Sequence, residues 1–198
     1  MSAPSAFAGL MSVSQDGLDV TVSWTTVGQN LNFTYVADFT NANANWIGAT
    51  MDSLSVQLGS ASNGVLINSF SANATSTAAG TWVGFRDKVS GNGCSVGSAD
   101  AICYTVLPSG IGGDGAEVIA AKSYSWFFTV GLNAGFDPDT VMQGSHSIKF
   151  LALKYNPNNQ KWSTAGQLSQ SATVPEPGTL TLLGVGLLGL AMMRRKRR

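Results

Sequence analysis

From Leu18 to Thr25 the chain reads Leu-Asp-Val-Thr-Val-Ser-Trp-Thr, apolar and polar in strict alternation. Side chains of a β-strand point to opposite faces with a period of two, so this octet predicts a strand with one face in a core and one in water. Leu31–Tyr35 repeats the pattern after Gly28-Gln29-Asn30, which predicts a hairpin. Leu54–Leu58 alternates again. Further candidate strands are Val65–Phe70, Thr81–Arg86, Ala101–Leu107, Ala116–Ala120, Tyr124–Leu132, Ser147–Tyr155 and Gln160–Thr164. Gly, Asn, Pro and Asp lie between them, and no stretch before Val174 carries the 3.6-residue period of an amphipathic helix. These elements predict an all-β body, an antiparallel β-sandwich of jelly-roll type. No fixed-period repeat points to a propeller or solenoid.

The length of 198 residues suits one domain with a real core. The body is rich in Gly, Ser, Thr and Asn, yet five Trp, nine Phe and four Tyr are spread through it, which a disordered chain would lack. The formal net charge of zero hides a segregation. Residues 1–173 hold six basic and ten acidic side chains, a net of −4, while five basic residues against Glu176 give the remainder +4. Nucleic-acid binding needs clustered Lys and Arg, so an acidic body excludes that partner.

The basic charge belongs to the segment after Val174. Leu180–Met193 is an apolar run of fourteen residues, broken by Thr181 and three glycines. Six Leu and one Val give about −3 kcal/mol on an insertion scale, a marginal span suited to temporary retention. Arg194-Arg195-Lys196-Arg197-Arg198 follows as a stop-transfer cluster held on the cytoplasmic side, which puts the body across the membrane. A plain single-span anchor is the simpler alternative.

Val174-Pro175-Glu176-Pro177-Gly178, the apolar run and the basic cluster together resemble the PEP-CTERM sorting signal of bacteria that make exopolysaccharide. The resemblance covers about twenty-five residues. It implies an exosortase, a membrane protease, as partner, a transient stay in the inner membrane of a Gram-negative bacterium, and release of the body to the cell surface or outside. The expected organisation is 1–8 as the remnant of a secretion signal, 9–170 as the β-sandwich, 171–178 as linker and sorting motif, 179–193 as a C-terminal transmembrane helix and 194–198 as the basic end. Ala6-Phe7-Ala8 fits the small-x-small rule for signal cleavage, although no basic n-region or long apolar stretch precedes it.

Cys94 and Cys103 lack the four ligands of a zinc site. They are either buried thiols or a disulfide, and in an exported protein the disulfide is the expectation. No other chemistry stands out. His146 is the single histidine and cannot build a relay or a metal site alone. Asp137-Pro138-Asp139 reads as a turn rather than a calcium loop, and the Gly110–Gly115 run precedes a strand rather than opening a helix. Asn32-Phe33-Thr34 and Asn73-Ala74-Thr75 match the glycan acceptor pattern by chance in a bacterial protein. Trp46, Trp82 and Trp162 lie near turns and are the candidate glycan contacts, against the ordinary reading as core or rim packing. No metal, cofactor or catalytic residue is assigned. The expectation is a non-enzymatic surface or matrix protein, structural or adhesive in an exopolysaccharide biofilm. A carbohydrate-binding module is the alternative, and a polysaccharide-active enzyme the third reading.

Overall fold

A computed structural model describes residues 8–58, 67–90, 93–96, 100–107 and 115–174. It contains β1 (Ala8–Gln15), β2 (Leu18–Val27), β3 (Asn30–Asp38), β4 (Thr50–Gln57), β5 (Ile67–Phe70), β6 (Asn73–Ser76), β7 (Thr81–Phe85), β8 (Asp87–Ser90), β9 (Gly93–Val96), β10 (Ala101–Leu107), β11 (Ser123–Leu132), a one-turn helix α1 (Pro138–Val141), β12 (Gly144–Asn156) and β13 (Lys161–Val174). The body is all-β and antiparallel. One sheet runs β1-β2-β3-β11, and the other runs β6-β7-β10-β4-β12-β13. β6 joins them: Thr75 and Ser76 pair with β11, while Asn73 and Ala74 pair with β7.

At the far side the two outer strands meet without a ladder. Gln15 Nε2 donates to the Gln167 carbonyl at 3.1 Å, and Gln170 Nε2 donates to the Ser14 carbonyl at 2.7 Å. Side-chain amides therefore do what backbone pairing would do in a closed barrel. Each bond takes up one edge carbonyl that would otherwise be open to another chain.

Alternation builds the core. Leu18, Val20, Val22 and Trp24 of β2 face Leu54, Val56, Ile148 and Phe150 of the opposite sheet within one buried cluster. Trp126 stands at its centre, 5.0 Å from Trp82, 5.8 Å from Tyr35 and 5.9 Å from Phe150 between ring centroids. Such tilted and edge contacts add to area burial. The buried phenols of Tyr35, Tyr104 and Tyr124 donate to the carbonyls of Lys149, Ser71 and Glu117, each at 2.9 Å. Their polar ends are thereby satisfied inside the protein.

Several expectations change. The β2–β3 hairpin forms, with Gly28 at φ +60° in its two-residue turn. β1, β6, β8 and β9 are additional, and β13 is far longer than Gln160–Thr164. Ala116–Ala120 is not a strand. Its Glu117 makes one isolated bridge to Thr50, and its backbone bonds the 48–51 segment instead. β13 also runs to Val174, so 171–174 is paired strand rather than free linker. The expected transmembrane helix 179–193 lies outside the described residues. Among the described residues no helix is long and apolar enough to cross a membrane.

Candidate functional site

The chain leaves the body at the end of β13, where Val174 pairs with Gly144 of β12. Pro175 follows directly. Proline has no N–H to donate and holds the residue before it extended, which agrees with Val174 lying in a strand. Pro175, Glu176, Pro177 and Gly178, the apolar run and Arg194–Arg198 lie outside the described residues.

Cys94 and Cys103 form a disulfide, with their Cα atoms 5.8 Å apart. It ties the β8–β9 hairpin to β10, so that the hairpin lies as a flap on the outer face of β10, β4 and β12. Beneath it Val89, Cys103, Leu151 and Leu153 form a second apolar cluster, separate from the main core. Ser55 Oγ accepts from the Val89 amide at 3.2 Å, and Lys149 Nζ donates to the Val89 carbonyl at 3.3 Å. The flap explains why Ser53 and Ser55, on the outward side of β4, are buried. Asp52 lies under the same edge. Its Oδ2 is buried without a hydrogen-bond partner, and burial pushes its pKa up.

The three tryptophans separate. Trp46 and Trp82 are each 1% exposed and offer no ring face to a ligand, which corrects their assignment as glycan contacts. Trp46 does sit in a turn. That turn, opened by the Asn43 side chain accepting from the Asn45 amide at 2.9 Å and closed by Gly48 at φ +72°, folds the ring inward against Phe39 and Phe150. Trp162 reaches the surface. It pairs with Tyr155 at 5.3 Å on the rim of the flap cluster, and Tyr155 is 45% exposed.

The remaining candidates have structural uses. Asp137 caps α1: its carboxylate accepts from the Asp139 amide at 3.1 Å and the Thr140 hydroxyl at 2.9 Å. His146 is 1% exposed, and burial pushes its pKa down. Among the described residues no three His, Cys, Asp or Glu side chains come together as a metal site. Gly110–Asp114 lies outside the described residues.

One surface feature was missed from sequence. A groove of about 500 Å³ crosses the outer face of β2, β3, β11 and β6. Phe127 stands in it, 45% exposed, between Thr34 and Thr75 on the adjoining strands. The signal was present in Trp126-Phe127-Phe128. In a strand whose Trp126 and Phe128 face the core, the aromatic between them must face out.

Residues 173–198 match the family model described as the PEP-CTERM protein-sorting motif. The chain carries a PEP-CTERM sorting signal. That signal implies recognition by an exosortase, a membrane-anchored intermediate and processing to a secreted or surface form. A comparison with curated proteins finds no match. Among solved structures the PEP-CTERM protein is similar to the KRT10-binding region domain of the pneumococcal serine-rich repeat protein PsrP. The identity is 13%, the TM-score 0.36, and the match covers 84% of this chain and 99% of that one. Nothing about a ligand or partner is carried over from so distant a likeness.

Proposed function

We propose that this PEP-CTERM protein is a structural and adhesive component of an exopolysaccharide matrix. On this reading a Gram-negative cell exports it, retains it briefly in the inner membrane by residues 179–193, and frees it by exosortase cleavage near Val174–Gly178. The observation that carries the reading is the direct junction between the sorting signal and a disulfide-stapled β body, with Val174 still paired in β13. A stapled body of this kind suits an oxidising, extracytoplasmic compartment. Its role is non-enzymatic. In support of this, Asp137 serves as a helix cap and His146 lies in the buried core.

The test follows both halves. Fractionation should place the processed protein in the matrix, and deletion of Val174–Gly178 should leave it in the membrane. Purified protein incubated with the producing strain's polysaccharide should generate neither new reducing ends nor unsaturated uronate. Either product in a specific reaction overturns the non-enzymatic reading.

A further inference from the structure

The geometry points to a neutral-glycan binding site in the groove across β2, β3, β11 and β6, with Phe127 as the stacking platform. This deepens the adhesive reading above and rests on it.

Three observations carry the inference. The first is charge. None of the fourteen residues lining the groove is ionisable. At one margin of the same sheet Asp19 and Asp38 sit opposite each other, and the Thr40 hydroxyl and amide hold the Asp38 carboxyl below its ordinary pKa. A polyanion is repelled there, whereas an uncharged polymer is not.

The second is unused hydrogen-bonding capacity. Within the described residues no hydrogen bond engages the side chains of Ser23, Thr25, Thr34, Asn73 or Thr75. Thr129 Oγ1 donates to Asn32 Oδ1 at 2.8 Å, which orients that amide in the lining of the groove. Hydroxyls that donate and accept, beside an oriented amide, match the mixed donor–acceptor edge of a sugar.

The third is spacing. Ser23, Thr34, Phe127 and Thr75 are successive cross-strand partners and form one row perpendicular to the strands. Thr25, Asn32 and Thr129 form the next row. Neighbouring strands lie about 4.8 Å apart, close to the length of one extended pyranose residue. A glycan laid across the strands thus meets a hydroxyl on β2, β3 and β6 and the Phe127 ring on β11, and four strands hold three to four sugars. Phe127 lies within the row, where a pyranose C–H face can cover its exposed ring. An ordinary solvated sheet face accounts for the threonines, but it gives no reason for a half-exposed aromatic among them.

The experiment uses the full chain, purified in an amine-oxide detergent that carries no sugar headgroup. Calorimetric titrations employ maltohexaose, cellohexaose, xylohexaose and laminarihexaose, with a hexameric polymannuronate as the anionic probe. Saturable binding is expected for at least one neutral hexasaccharide and none for the polyuronate. Phe127→Ala should weaken that binding roughly tenfold. Thr34→Val and Thr75→Val, which keep the side-chain volume, should each weaken it about three- to tenfold. Phe85→Ala, an exposed aromatic on the other sheet, should leave it unchanged. Melting curves confirm that each variant is folded.

Failure of all four neutral probes, tighter binding of the polyuronate, or binding indifferent to both Phe127→Ala and Thr34→Val overturns the site. So does dimerisation abolished by Phe127→Ala without sugar bound, since the groove would then be a self-interface. Binding is read on purified protein, so its failure leaves the matrix reading to be judged by fractionation alone.

Discussion

Replacing both cysteines, Cys94→Ala/Cys103→Ala, tests what the flap contributes. The bridge spans nine positions, and closing a loop of about ten residues restricts the unfolded chain by roughly 2.7 kcal/mol on the chain-entropy relation. Alanine avoids placing a hydroxyl at position 103, where the native sulfur is fully buried. The folded side changes little, because Val89 keeps Leu151 and Leu153 in its cluster and its bonds to Ser55 and Lys149. For a chain of this size each kcal/mol shifts Tm by about 2–4 °C, so the variant should melt about 5–11 °C lower and remain folded. Amide exchange should be fastest to change at Val89, where opening of the flap exposes the bond to Ser55. Melting at the wild-type temperature with unchanged exchange would refute the staple. Labelling of either thiol in exported, unreduced wild-type protein would refute the bridge itself.

Other outcomes follow from buried groups. His146 is neutral and buried, with its pKa pushed below 6.5; below that pH the unfolded chain takes up a proton the fold refuses. Stability should therefore be full above about 6.5 and fall as the solution is acidified, and His146→Leu should flatten the pH dependence of Tm over that range. Asp52 behaves oppositely. Its pKa is raised by burial, so its contribution is best below 3.8 and is lost as pH rises through the folded value. Asp52→Asn should raise Tm at pH 7 and have little effect in acid; an unchanged or lower Tm at pH 7 contradicts this. Trp82→Ala and Trp46→Ala should each cost about 3–5 kcal/mol in denaturant melts, against much less for the half-buried Trp162.

How far the fold could be read from sequence depended on whether a strand had water on one side and core on the other. β2, β3 and β11 do, and their alternation located them. β1 was missed, although Asp16-Gly17 is a strong hairpin signal whose residues adopt φ +54° and +76°. β13 was hidden because its inward positions are small. Gly166 is one of them: a Cβ there would stand 2.6 Å from the Trp46 ring, so the missing side chain is what admits that indole. The flap strands were illegible because their apolar residues cover the outer face of a sheet, which alternation assigns to water. Trp46 misled because proximity to a turn says nothing about which way the turn sends its ring. The sorting signal was readable in full, being linear and chemically tripartite. The groove was not, because its rows run across strands that are distant in sequence.

On the proposed reading the body is released by removal of the tail, and the intact mass of the extracellular protein tests this release. Secreted material should be collected without reductant and measured whole by mass spectrometry. The expected mass lacks Leu180–Arg198 and is two hydrogens lighter than the sequence for the Cys94–Cys103 bridge. An extracellular species that retains Arg194–Arg198 would contradict it.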